Sequence, residues 1–379
     1  MNILFLIYHG FSNTSGISKK IKYQIKGLQS LGHTVYTCTY SIREDGHRVR
    51  CIDDKVIEDY GTNKLIAGLR QRTNFNSIYD YCIKNKIDFV YSRSFHNANP
   101  WTIKLFKRIK KAGIPAVMEI PTYPYDQEYV GFPFITRLGA WIDRLYREKL
   151  AQQMNAIITF SNDNIIFGQQ TIKISNGIDF DSIPLRQSSN KNKDYLRFVA
   201  VAEVHYWHGL DRFVAGIGEY YKNGGNVNIQ FDIIGGIGEG ELNGSVHAPG
   251  ISTLIHQYNI QDHVNLLGPR YGDELDKIFN GSDFAVGSLG RHRSGITNIK
   301  TLKNREYAVR GIPFIYSEND SDFDNMPYII KAQANEEPID IQNIIDYLKT
   351  FNTSSEEIRN SILHLSWKKQ MEIVVNCLF

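Results

Sequence analysis

Short apolar runs alternate with helix-period segments from one end of the chain to the other. Residues 3–8, 34–40, 89–92, 116–120 and 156–160 read as strands. Between the first two, Ile17, Ile21, Ile25, Leu28 and Leu31 share one helical face, and Gly32 stands where a C-cap belongs. A second series follows, with strands at residues 198–202, 229–234, 264–267, 284–286 and 313–316. Leu210, Phe213, Val214 and Ile217 stripe the first helix of that series. Such alternation implies βαβ units on parallel sheets, so the fold class is α/β. The polar stretch 187–194, QSSNKNKD, has the composition of a linker. At roughly 150 residues per domain, a chain of 379 residues suggests two doubly wound, Rossmann-like domains. The expected division is 1–183 and 184–364. Sheets of this kind bind ligands beyond the carboxyl ends of their strands, which predicts loops facing a central cleft.

Charge and cysteine content narrow the function classes. The formal net charge is +3 and the basic residues are scattered, which argues against a nucleic-acid partner, whose binding needs a concentrated basic face. Cys38, Cys51, Cys82 and Cys377 have neither metal-ligand nor redox spacing, as expected of reduced thiols in a cytoplasmic protein. The first eight residues, MNILFLIY, lack the basic start of a signal peptide and read as a buried strand. No apolar stretch approaches the roughly 20 residues of a membrane span, so any membrane contact must be peripheral.

Four loops could hold an anion. After the first strand and His9-Gly10, the run FSNTSG brings Ser15 and Gly16 to a helix start, where free N–H groups and the helix dipole favour negative charge. In the second half, residues 207–212 (WHGLDR) place His208 and Arg212 at another helix start. Residues 234–240 look like a dinucleotide fingerprint but follow G-x-G-x-G, with Glu241 where the third glycine position falls. The densest constellation spans 290–313. It holds seven basic or imidazole side chains, among them Lys300, Lys303 and Arg305, and one carboxylate, Glu306. A solvated helix mixes signs more evenly, so an anionic ligand is expected here. Glu306 would then accept hydrogen bonds from ribose hydroxyls.

The order of these motifs resembles glycosyltransferase family 4, of the bacterial polysaccharide-biosynthesis type, over some 300 residues (roughly). Leu31-Gly-His-Thr-Val35 looks like the family's opening, and Ile174-Ser-Asn-Gly-Ile-Asp179 like its interdomain crossing. His208-Gly209-Leu-Asp211 occupies the place of its Lys-Gly-x-Asp motif. Glu306 to Pro313 resembles the second half of its Glu-x7-Glu signature, and LSWKK at 365–369 its last helix, which packs back on the first domain. The chain departs from the pattern at Asn298, in place of the first acid, at Ala202-Glu203-Val204, in place of an Arg, and at His208, in place of the Lys.

The resemblance implies a GT-B fold, with the C-terminal segment 365–379 returning to the first domain. It implies transfer of a sugar from a nucleoside diphosphate sugar to a hydroxyl of a saccharide or lipid-linked acceptor, with retention and with neither metal nor cofactor. Glu306, Lys300 and His208 would carry the chemistry. Ser15, Gly16, Arg212, Lys303 and Arg305 would bind the donor. His9, His96 and Glu119, at or just beyond strand ends, would orient the acceptor. The amphipathic segment 130–154, with Phe132, Phe134, Trp141 and Leu145 among arginines, could rest on a membrane, but core packing is expected for most of it. A competing reading is a catalytically silent nucleotide-sugar-binding subunit, supported by Asn298. A nicotinamide-dependent oxidoreductase is excluded by the first loop, which lacks its glycine fingerprint.

Overall fold

The computed structural model describes residues 1–12, 15–126, 134–187 and 194–379. Asn13 and Thr14 of the first loop, residues 130–133 of the amphipathic segment and most of the 187–194 linker lie outside the described residues. The chain divides into two units, Met1–Gly177 with Trp367–Phe379, and Ile178–Ser366.

The first unit contains β1 (Asn2–Leu6), α1 (Gly16–Ser30), β2 (Thr34–Ile42), β3 (Arg48–Ile52), β4 (Lys55–Asp59), α2 (Lys64–Thr73) and α3 (Asn76–Lys84). It continues through β5 (Phe89–Arg93), α4 (Pro100–Lys111), β6 (Ala116–Ile120), α5 (Phe134–Ala151), β7 (Ala156–Thr159), β8 (Ile165–Ile166) and β9 (Gln169–Lys173). Its sheet runs β4-β3-β2-β1-β5-β6-β7-β9-β8. The pairings from β2 through β1, β5, β6 and β7 to β9 are parallel. β1 is apolar from Ile3 to Leu6 because both faces of a parallel sheet are covered. Ile3 and Phe5 pack toward α1 and the C-terminal helix, while Leu4 and Leu6 join the core on the other side.

One feature of this unit was absent from the sequence reading. β3 and β4 extend the sheet antiparallel beyond β2. They are joined at Asp53 and Asp54, both at positive φ, as a two-residue hairpin turn that follows the sheet twist requires. The C-terminal helix, Trp367–Asn376, packs on α1. Its Trp367 is seated where glycine leaves room: a Cβ on Gly27 would stand 2.8 Å from the Trp367 carbonyl oxygen.

The second unit contains β10 (Leu196–Val201), α6 (Leu210–Lys222), β11 (Ile229–Ile234), α7 (Glu239–Asn243), α8 (Ile251–Tyr258), β12 (Val264–Gly268) and α9 (Gly272–Gly281). β13 (Phe284–Val286), α10 (Leu302–Val309), β14 (Phe314–Tyr316), β15 (Ile329–Lys331), α11 (Ile341–Thr350) and α12 (Ser355–Ser361) follow. The sheet is parallel, in the order β12-β11-β10-β13-β14-β15. From β10 the chain steps outward through β11 to β12 at one edge, then crosses back from β12 to β13 on the other side of β10. The strand order therefore reverses beside β10, and that is where a doubly wound sheet opens a crevice for a ligand.

Candidate functional site

In the second unit three adjacent strands, β10, β13 and β14, end in loops that are laced together by their backbones. The Leu289 N–H donates to the His208 carbonyl at 2.8 Å, and the Ser317 N–H to the Ser288 carbonyl at 2.9 Å. Gly209 has φ +62, and a Cβ there would lie 2.5 Å from the Gly290 nitrogen. Only glycine allows that contact in that conformation. It sets His208 and the start of α6 directly against the loop that carries Arg291.

Several polar groups converge on this floor. His208 is buried, and its Nδ1 accepts from the His205 N–H at 3.1 Å, so the ring proton sits on Nε2. Burial, then Lys303 and Arg291, hold its pKa far below the ordinary imidazole value. The ring is therefore a neutral Nε2–H donor. Burial and the neighbouring Arg291 also pull the Lys303 ammonium down from the lysine range, with Glu318 opposing. Glu318 is buried after β14, and its pKa is raised, by burial first, against the pull of Lys303 and Arg291.

Five of the nine buried side-chain polar atoms without a hydrogen-bond partner among the described residues fall in this region: Ser288 Oγ, Arg291 Nε, His292 Nδ1, Asn304 Oδ1 and Glu318 Oε2. Unpaired buried groups are costly and uncommon, so their concentration here marks a place that an anionic, hydroxyl-bearing ligand or ordered water completes.

The expected one-sided cation cluster is largely offset by carboxylates distant in sequence. Arg293 makes two bonds to Asp211, at 2.8 and 2.7 Å, and also binds Glu336. Two donor-binding expectations are corrected. Arg305 is fully buried and paired with Asp320 at 2.7 Å and with Asp322, so it presents no charge to a ligand. Arg212 is buried too, donating to the carbonyls of Leu289, Gln333 and Glu337 and to Asn335, and it holds the 333–337 loop in place. Lys300 lies 3.6 Å from Asp322, which offsets its charge. Glu306 accepts from Arg310 through Oε1, while Arg310 also pairs with Asp276 at 2.8 Å. Ser288, Asn304 and Glu318 were not among the expected residues, and Arg291 was expected only as one of the seven basic side chains at 290–313. The available signal was position: Glu318 and Ser288 each stand two residues past a buried strand.

In the first unit, Ser15 is the N-cap of α1, accepting from the Ser18 N–H at 3.4 Å. Gly16 has open space where a Cβ would stand. His9 and His96 follow β1 and β5, which are neighbours in the sheet. His9 donates from Nδ1 to the Gly10 carbonyl at 2.8 Å, and Phe95 lies beside it. His96 stacks on Tyr125 at 3.8 Å, and burial, then Arg147 and Arg93, lower its pKa to about 4. Both histidines therefore follow the carboxyl ends of neighbouring central strands. Glu119 does not join them, which corrects a third expectation. It is fully buried, taking bonds from Gln24 at 2.6 Å, from Tyr91 at 2.5 Å and from Arg93, with Lys20 at 3.7 Å. Burial would raise its pKa, but Lys20, Arg93 and these hydrogen bonds outweigh it, so the carboxyl stays below its ordinary value. No acceptor could reach it.

No family model matches the sequence, and no curated protein matches it by sequence. Solved structures do match by fold. Sucrose-phosphate synthase from Thermosynechococcus elongatus has a TM-score of 0.65 at 14% identity, over 100% of this chain and 98% of that one. The E. coli trehalose-6-phosphate protein bound with UDP-2-fluoro glucose has a TM-score of 0.60 at 12% identity, over 100% and 99%. The catalytic domain of starch synthase IV from Arabidopsis thaliana, bound to ADP and acarbose, has 0.59 at 11%, over 100% and 98%. Identities this low speak for architecture alone: the chain has the GT-B fold, built from two Rossmann-like units.

Proposed function

We propose that this chain is a glycosyltransferase, similar to family 4, acting in the synthesis of a cell-surface polysaccharide or glycoconjugate. Its second unit binds a nucleoside diphosphate sugar, and the acceptor is a hydroxyl of a saccharide or a lipid-linked saccharide. The observation that carries this reading is the set of unpartnered polar groups at the carboxyl ends of β13 and β14, beside Lys303 and His208. A diphosphate would take its charge from Lys303 and Arg291 and hydrogen bonds from His208 Nε2 and Ser288 Oγ. Glu306 would accept a ribose hydroxyl at Oε2. The same groups suit the reaction, because negative charge grows on the departing phosphate oxygen as the glycosidic bond breaks. The two cations do in place what a divalent metal would otherwise do, which supports metal-independent transfer. Retention places the acceptor on the leaving-group face of the sugar, and no protein nucleophile is assigned. His9 and His96 are the proposed acceptor-side residues in the first unit, and Ser15 and Gly16 the proposed anion-facing turn.

Nucleotide-sugar affinity and single-turnover rate of Lys303→Ala and Glu306→Gln, at fixed ionic strength, test the site. Losing a charge-assisted bond to the diphosphate, about 1.5–3 kcal/mol, should weaken binding roughly tenfold to a hundredfold in Lys303→Ala and lower turnover further. Glu306→Gln should mainly weaken binding. Wild-type behaviour of both variants refutes the placement. Asn298, in place of the family's first acid, keeps one other reading in view. Tight donor binding by the wild type with neither transfer nor hydrolysis would identify a silent subunit.

A further inference from the structure

Helices α2 and α5 of the first unit carry apolar stripes that nothing covers among the described residues. On α5, Phe134, Leu138, Trp141 and Leu145 recur at the spacing of one helical face and are between 44% and 76% exposed. The rotation of this helix is fixed from its other side. Asp143 accepts from the Ala98 N–H at 2.8 Å and from the Tyr125 hydroxyl at 2.7 Å, and Leu150 enters the core. The stripe therefore cannot turn inward, contrary to the core packing expected from the sequence. On α2 only Ala67 is buried, while Leu65 is 83% and Leu69 65% exposed. The helices are neighbours, since the Arg72 guanidinium lies 3.5 Å from where a Cβ on Gly139 would stand. Large apolar side chains exposed side by side mark an interaction surface, unlike apolar residues scattered singly.

The charges around the stripes narrow the partner. α2 carries Lys64, Arg70 and Arg72 and no acid. On α5, Arg137 and Arg144 are exposed between the apolar residues, Asp143 is buried, and Glu148 is the one exposed acid. We infer that this face docks on an anionic lipid bilayer, with the apolar stripes at the headgroup boundary and the arginines and lysines against lipid phosphates. A second copy of the chain fits less well. A two-fold contact sets the same surface against itself, which here opposes basic side chains to basic side chains with little acid to pair them.

The proposal is independent of the donor chemistry and is tested without a sugar donor. The purified full chain is floated with vesicles of phosphatidylcholine alone and of phosphatidylcholine mixed with phosphatidylglycerol. The chain should rise with the mixed vesicles only, and less as salt is added. Trp141 fluorescence should shift to the blue on binding, a change lost in Trp141→Phe. Leu69→Glu with Trp141→Glu should weaken vesicle binding by about tenfold or more, and Arg137→Glu with Arg144→Glu should remove the preference for phosphatidylglycerol. Circular dichroism spectra and urea midpoints of these variants should match wild type, which shows that they fold. Failure of the wild type to float, or equal flotation of the variants, overturns the proposal. So does a wild-type dimer in light scattering that Trp141→Glu converts to a monomer, which would give the face to a second copy.

Discussion

Single residues at the strand ends differ in role according to whether their charge is already paired. Arg305 and Arg212 have their donors taken up by protein acceptors, whereas Lys303 stands near Arg291, with Glu318 offsetting both. Lys303 must be an ammonium to hold a diphosphate, and its pKa lies below the ordinary lysine value of 10.5. On the proposed placement, affinity for a nucleotide sugar, whose diphosphate does not titrate in that range, should therefore fall as pH rises through the lowered Lys303 pKa of about 7. Lys303→Arg should flatten that profile, and isothermal titration across pH reads both. Glu119 belongs to the opposite class. Removing its carboxylate leaves Arg93 and Lys20 buried without their counter-ion, so Glu119→Ala should cost about 3–5 kcal/mol in urea unfolding. Its lowered folded-state pKa means that its stabilisation is present above the unfolded-state pKa and is lost as pH falls through the folded value. A change confined to acceptor KM, with stability intact, would return Glu119 to the acceptor side.

At the scale of elements, periodicity carried most of the information and packing the rest. The runs at 116–120, 229–234 and 284–286 became β6, β11 and β13 with those bounds. Gly32 lies just past the C-cap of α1 at φ +84, as its place after the last apolar residue implied. The stripe on α1 was less faithful: Ile17 is half exposed, while Gln24 and Lys20 are buried because Glu119 lies opposite them. Polar residues at core positions are invisible to a hydrophobic count. The C-terminal helix depends on Trp367, which is buried against α1. Trp367→Ala should lower the unfolding free energy by about 3–5 kcal/mol, and the urea midpoint measures it. An unchanged midpoint would mean that this helix adds little to the first unit.

For the whole molecule, the proposed mechanism predicts that donor binding and transfer survive excess EDTA, because Lys303 and Arg291 would take the place of a metal. An absolute requirement for Mg²⁺ or Mn²⁺ would overturn that mechanism. What the sequence determined by itself was the architecture, since alternating two-residue and 3.6-residue periods are local properties that any window of the chain displays. Tertiary structure alone decided which charges are available. Arg293 and Asp211 stand 82 residues apart in the chain and 2.7 Å apart in space. No local count could show that this arginine is neutralised while Arg291, two positions earlier, keeps an unpartnered Nε. The same holds for the stripe on α5, whose spacing is that of a buried face. Only the anchoring of Asp143 on the opposite side turned it outward. Periodicity specifies that a helix has an apolar face, and the partners on its other side decide which way that face looks.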